Sequence, residues 1–327
     1  MNIFSKELIN FQKSKNKMKH NIVVFGSGRW AKVVISELLE NFPNIKRLII
    51  VTSYKNQLEE WKKKKKIKKL IITSDYGELK KYSSKFALVV NKNKDHYKTC
   101  LRALNLNQNI LVEKPLQINE SSLKKLIDKS RKKKLFIYLS LPYLFANYFL
   151  YIKKKFIKNK KIKKINIDWF DKKNEKRHGF LKKHDDNIHY LEDIFYHLFS
   201  LISIFLGDKK IIIKQNFKIK DIYKVKFRFQ NTEIEINFSK QSKNRKRILK
   251  IGFLNKKEII INFSDDKKVL LYSEKRVNLP KHVSQKTLKY QLFNFISSNF
   301  SNSINNKANV RNLKHLFLSI KKIRKII

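Results

Sequence analysis

A short apolar strand, Asn21–Phe25 (NIVVF), runs without a spacer into Gly26-Ser27-Gly28-Arg29-Trp30-Ala31. Lys32–Asn41 then places Val33, Val34 and Leu38 at helical spacing. In such a strand–turn–helix unit Gly26 permits the tight turn, and Gly28 lets the backbone approach an anionic group. The small Ala31 lets the helix pack on its strand, and the free N–H groups at the helix start face the anion. The unit predicts a parallel α/β sheet with a dinucleotide pyrophosphate on its first turn.

The strands and helices that follow agree with that sheet. Strands are expected at Leu48–Thr52, Lys69–Thr73, Phe86–Val90 and Ile110–Val112, with helices at Gln57–Lys66, Lys94–Leu104 and Glu120–Lys133. This alternation implies right-handed crossovers between parallel strands. Leu135–Ile152 runs 18 residues without a charge, which approaches the length of a membrane span. Pro142 and Asn147 interrupt it, so a buried strand, a turn and an amphipathic helix are expected, and no membrane segment.

Beyond a boundary near Leu141–Tyr143 the pattern changes. A strand at Lys163–Phe170 precedes a long apolar-faced helix, Asn187–Leu206, that stops at Gly207. Lys210–Tyr272 reads as an antiparallel meander, and helices near Gln285–Ser298 and Asn309–Ile326 close the chain. The fold class expected is α/β: an N-terminal Rossmann domain, then an α+β domain with a large, mostly antiparallel open sheet. Residues 1–20 are expected to be a disordered extension, with 21–141 binding the dinucleotide and 142–327 serving substrate binding and oligomerisation. Translation starting at Met18 instead of Met1 would remove most of the extension.

With 76 Lys+Arg against 26 Asp+Glu among 327 residues, the net charge is +50, which invites a nucleic-acid reading. However, 65 of those cations are Lys and 11 are Arg, whereas bidentate phosphate and base recognition favours Arg. Ile and Asn are also abundant, and their codons, like those of Lys, are A/T-rich. Coding bias accounts for all three residues together, so only nonspecific polyanion binding is expected. The 42% hydrophobic content fills a core, and a single cysteine, Cys100, leaves no disulfide framework and suits a reducing, cytoplasmic setting.

Chemistry is expected at the strand ends. After the second strand an NAD site places a carboxylate that binds the ribose hydroxyls, about 20 residues beyond the glycines. Here Thr52-Ser53-Tyr54-Lys55 offers hydroxyls and a cation, which suits a 2′-phosphate; NADP(H) is favoured and NAD(H) remains possible. Glu113-Lys114-Pro115 follows the strand Ile110–Val112, facing the same crevice. On the long helix Asp193 and His197 are spaced i, i+4 and share a face. A cation, a carboxylate and an imidazole suffice for alcohol–ketone chemistry beside a nicotinamide: Lys114 holds the oxygen, His197 moves the proton, Asp193 orients or charges the pair. His189, Asp193 and His197 also repeat at four-residue spacing near His184, Asp185 and Asp186, but no fixed ligand signature appears and no metal is expected.

Taken in order, Gly26-Ser27-Gly28-Arg29-Trp30-Ala31, Glu113-Lys114-Pro115 and Asp193…His197 before Leu206-Gly207 resemble the Gfo/Idh/MocA oxidoreductases, the glucose–fructose oxidoreductase and inositol dehydrogenase group. The resemblance implies hydride transfer to or from a hydroxyl, ketone or imine of a small polar substrate, with a sugar or nucleotide-sugar in view. It implies a cofactor set of Gly26, Ser27, Gly28, Arg29, Trp30, Ala31, Thr52, Ser53, Lys55, Asn91, His96, Glu113 and Lys114. Lys114, Tyr143, Asp193 and His197 would meet the substrate, and a homo-oligomer, dimer or tetramer, would form through the C-terminal sheet. Two departures stand out: Asn91-Lys92-Asn93 replaces the usual small residue and proline, and Phe195 replaces a glycine between Asp193 and His197. The alternatives are a catalytically silent dinucleotide scaffold or sensor and, from another class, a basic nucleic-acid-binding protein.

Overall fold

A computed structural model of the chain describes residues 20–173, 175–177, 180–181, 188–207, 212–219, 222–229, 231–264, 269–280, 283, 287–297 and 307–326. The expected extension and His184, Asp185 and Asp186 lie outside these residues. The chain divides into two compact units, residues to 145 with 288–313, and 146–287 with 314–327.

The first unit is a six-stranded sheet in the order β3-β2-β1-β4-β5-β6, with every neighbouring pair parallel. Its strands are β1 (Asn21–Phe25), β2 (Arg47–Val51), β3 (Leu70–Thr73), β4 (Ser84–Val89), β5 (Asn109–Val112) and β6 (Ile137–Leu139). Between them run α1 (Arg29–Asn41), α2 (Lys55–Lys64), α3 (His96–Asn105) and α4 (Glu120–Lys132). Ile22, Val23 and Val24 are fully buried, as a strand covered on both faces requires. Strand order reverses between β1 and β4, which opens a crevice at their carboxyl ends. α1 begins at Arg29, three residues before the expected start, because Gly28 is extended (φ −65°, ψ −179°) and the helix follows it at once.

Leu135–Ile152 resolves into β6, a 3₁₀ turn at Pro142–Phe145 and the short α5 (Asn147–Ile152), which buries Tyr148, Phe149 and Ile152. Among the described residues no helix is long and apolar enough to cross a membrane. The returning helix α7 (Thr287–Ile296) sends Phe295 edge-on to Phe86 of β4, with ring centroids 5.4 Å apart.

The second unit is built on an eight-stranded sheet in the order β10-β11-β12-β7-β13-β14-β15-β16. The strands are β7 (Ile162–Lys172), β10 (Ile212–Ile219), β11 (Ile222–Phe229), β12 (Thr232–Ser242), β13 (Lys246–Phe253), β14 (Glu258–Asn262), β15 (Val269–Tyr272) and β16 (Lys275–Arg276). The two-residue strands β8 (Lys176–Arg177) and β9 (Phe180–Leu181) pair separately. The expected meander needs correction here. β12 and β13 do not pair with each other; β7 lies between them, parallel to β12 and antiparallel to β13. Strand period reports which face is buried, not which strand is the neighbour.

One face of this sheet packs on α6 (Tyr190–Leu206), which ends at Gly207, whose φ of 88° stops the helix. α6 starts at Tyr190, not Asn187, because His189 caps it by accepting from the Leu191 amide at 3.2 Å. The closing helix α8 (Lys314–Ile326) likewise starts after a 3₁₀ turn at Val310–Asn312 that Asn309 caps.

Candidate functional site

The crevice of the first unit is a cleft of about 750 Å³ at the carboxyl ends of β1, β2 and β4. Gly26, Ser27, Gly28 and Trp30 line it from the glycine turn, Thr52 and Ser53 from the end of β2, and Asn91 from the end of β4. Gly26 adopts φ +127°, and a Cβ there would stand 2.8 Å from both the Val90 carbonyl oxygen and the Asn91 nitrogen. Nothing lies within 4 Å of a Cβ placed on Gly28. α1 therefore presents its first amides to open space, with no side-chain cap and no acid in its first turn. That is the donor set a pyrophosphate needs.

Gly26→Ala is expected to destabilise the protein by about 1–3 kcal/mol through its dihedral alone. The clash with Val90 adds to this, and NADPH and NADH should both lose affinity. Thermal melting and a fluorescence titration of the two cofactors check it.

Thr52 is committed within the protein: its Oγ1 lies 2.6 Å from Ser27 Oγ and accepts from the Tyr54 amide at 3.0 Å. Ser53 is exposed, and no carboxylate follows β2 before Glu59. Asn91 donates through Nδ2 to Thr99 Oγ1 at 2.8 Å, and its buried Oδ1 has no partner among the described residues. An acceptor held in this way at the cleft wall suits a ligand with hydrogen-bond donors. The glycine turn, the open helix start and this acceptor fit a nicotinamide dinucleotide.

Several expected residues stand outside the cleft lining: Arg29, Ala31, Lys55, His96, Glu113 and Lys114. Ala31 is a fully buried residue of α1. Lys55 is exposed at the first position of α2. His96 is buried, with Nδ1 3.2 Å from the Pro115 carbonyl and Nε2 3.1 Å from the Asn91 carbonyl. It ties the loops after β4 and β5 together, and burial holds its imidazole below the usual value. Glu113 accepts from Ser140 Oγ at 2.7 Å and from the Lys114 amide at 3.2 Å. Burial pushes its carboxyl upward against these hydrogen bonds. Lys114 follows it, half-buried, with a cis bond to Pro115. Tyr143 is half-buried on the 3₁₀ turn.

Three cleft groups carry no signal in the spacing of the sequence. Tyr76, after β3, stacks on Phe25 with centroids 5.9 Å apart, and the Arg102 guanidinium lies 4.2 Å above the Tyr76 ring. Lys98 and Arg102 are i, i+4 on α3, and both line the cleft with Lys92 and one acid, Asp95. In a chain with 76 Lys+Arg an i, i+4 pair of cations does not stand out.

Lys114 belongs to the first unit, whereas Asp193 and His197 belong to the second. Both α6 residues are half-exposed on a helix whose other side chains are nearly all buried, so they do share a face. Phe195 points to the opposite side, fully buried and edge-on to Phe227 at 5.9 Å. His197 stacks on Trp169, with centroids 5.6 Å apart and planes 14° from parallel. Among the described residues no three His, Cys, Asp or Glu side chains gather as a metal site.

Residues 20–140 match the Gfo/Idh/MocA profile, described as an oxidoreductase family with an NAD-binding Rossmann fold. No curated protein sequence matches the chain. Among solved structures it is similar to a dehydrogenase from Clostridium difficile, with 17% identity and a TM-score of 0.73, covering 94% of this chain and 99% of that one. It is also similar to a UDP-N-acetylglucosamine 3-dehydrogenase from Acidithiobacillus ferrooxidans, with 11% identity, a TM-score of 0.72 and coverage of 94% and 97%. A mutant 3-ketoreductase from Actinomadura kijaniata, in complex with TDP-benzene and NADP, gives 11% identity, a TM-score of 0.72 and the same coverage. At these identities the structures establish a shared fold along nearly the whole chain.

Proposed function

We propose that this chain, whose residues 20–140 match the Gfo/Idh/MocA oxidoreductase model, is a member of that family and an NAD(P)-dependent dehydrogenase or ketoreductase acting on a nucleotide-linked sugar or a related small polar substrate. The observation that carries the reading is the cleft at the β1/β4 switch point, where the Gly26 turn delivers the open start of α1. Two similar structures, a UDP-sugar dehydrogenase and a ketoreductase solved with a TDP ligand, support the substrate class.

The first amides of α1 and the Gly26–Gly28 backbone would hold the pyrophosphate, with Ser53 beside the adenosine ribose. When bound, the nicotinamide supplies or accepts the hydride. Lys114 Nζ donates a hydrogen bond to the substrate oxygen and stabilises the negative charge that gathers there. His197 gives or takes the hydroxyl proton, and Asp193, one helical turn before it, orients the ring and favours its charged form. Glu113 and His96 fix the loops around Lys114 through Ser140, Asn91 and Pro115.

The missing carboxylate after β2 and the exposed Ser53 and Lys55 favour NADP(H). NADPH should bind roughly tenfold more tightly than NADH, about the worth of one charge-assisted phosphate contact. Equal affinities would remove Ser53 and Lys55 as determinants. The function is tested by incubating the protein with NADP⁺ or NAD⁺ and a panel of UDP- and TDP-sugars, following absorbance of the reduced nicotinamide. Turnover on a nucleotide sugar supports the reading. Tight cofactor binding with no turnover across sugars, nucleotide sugars and cyclic imines favours a silent sensor.

The sheet face away from α6 supports a homo-oligomeric reading. It carries Asn166, Asp168 and Phe170 of β7 with Lys246 and Ile248 of β13, all half-buried. Light scattering should give a dimer or tetramer.

A further inference from the structure

The geometry points to Trp169 as a positioning residue for His197, itself held in place by the buried pair Arg247–Asp171. The inference rests on the proton-transfer role proposed for His197.

β7 alternates, turning Ile165, Ile167, Trp169 and Asp171 to the face that meets α6. On β13, Arg247 is the direct cross-strand partner of Trp169, so their side chains stand together on that face. The Arg247 guanidinium carbon lies 3.9 Å from the centre of the indole. Arg247 Nη2 pairs with Asp171 Oδ1, and both residues are almost completely buried. The other carboxylate oxygen, Oδ2, accepts from Tyr190 Oη at 2.8 Å. Tyr190 is the first residue of α6.

The cluster therefore grips α6 twice. Asp171 holds the helix start through Tyr190, and Trp169 meets the helix two turns later by stacking on His197. A buried ion pair is a poor device for stability alone, because apolar residues of similar volume often do as well or better. What this pair secures is the plane of one indole, flat beneath the imidazole. That stack restricts rotation of the His197 ring, and the π face favours its protonated form. Charged groups near the stack among the described residues include Asp193, one turn before His197 on α6, and Arg247 on β13, which Asp171 balances.

The test is a pH titration of the His197 ring by NMR in the full-length protein. Its signals are assigned by their loss in His197→Gln. In the wild type they should be displaced by the indole ring current. In Trp169→Leu that displacement should vanish, and the titration midpoint should fall by about half a pH unit as the cation–π contact is lost. Trp169→Phe should restore part of both effects. Should the leucine variant fail to fold, the phenylalanine variant carries the test: a reduced displacement is expected, and a ring signal and midpoint identical to wild type overturn the inference. A folded Trp169→Leu protein with an unchanged His197 titration overturns it equally. Turnover of His197→Gln is read separately. If that variant keeps wild-type turnover, the proton-transfer role falls, while the titration still reports whether Trp169 fixes the ring.

Discussion

Replacing Lys114 or His197 by alanine is expected to lower turnover by about 10²–10⁴-fold, the usual contribution of a positioned acid–base group. NADPH affinity should barely change, because the pyrophosphate is assigned to the Gly26–Gly28 turn and the start of α1, and neither side chain lines that cleft. Asp193→Asn should cost less, since the amide keeps a polar group one turn from His197 and loses only its charge. The effect belongs in kcat more than in KM, as both groups are assigned to charge that develops during the reaction. Steady-state kinetics on the substrate found with the nucleotide-sugar panel, beside a fluorescence titration with NADPH, separates the two quantities. Wild-type turnover in both alanine variants would remove these residues from the mechanism.

Asp171→Ala carries the largest expected effect on stability. It leaves the Arg247 guanidinium buried without its carboxylate and strips Tyr190 of its acceptor. Breaking such a pair on one side costs about 3–5 kcal/mol. In a unit of this size that corresponds to roughly 10 °C or more in melting temperature. The double variant Asp171→Leu with Arg247→Met should recover much of the loss, since no uncompensated charge remains. Urea unfolding followed by far-UV circular dichroism tests this, with the cofactor omitted so that binding does not mask the change. A single variant as stable as wild type would mean that the pair contributes nothing.

The two halves of the chain were not equally legible in the sequence. NIVVF gave the first strand to the residue, because a covered parallel strand is a continuous apolar run bounded by a glycine turn. Helix starts moved by a few residues wherever a cap decided them, as with Gly28 before α1 and His189 before α6. The placement of β7 between β12 and β13 could not be read, since alternation records burial and not partnership.

Arg247 and Asp171 pass as surface charges by type. However, Arg247 shares parity with Leu249, Ile251 and Phe253, and Asp171 with Ile165, Ile167 and Trp169. A charge in phase with the apolar positions of a strand is the signal that marks them. Tyr76 and Arg102 meet only because the turn after β3 and the helix after β4 share one end of the sheet, a relation that tertiary structure alone creates.

Isotope tracing asks whether hydride passes from the nicotinamide to the substrate. NADPH deuterated at nicotinamide C4 is mixed with keto forms of UDP- and TDP-sugars, and the sugar products are read by NMR. Hydride transfer predicts deuterium on the carbon of the newly formed alcohol, and sharply less of it with the Lys114→Ala protein. Saturated NADPH binding with no deuterium reaching any substrate would contradict the claim and leave a dinucleotide-binding protein without catalysis.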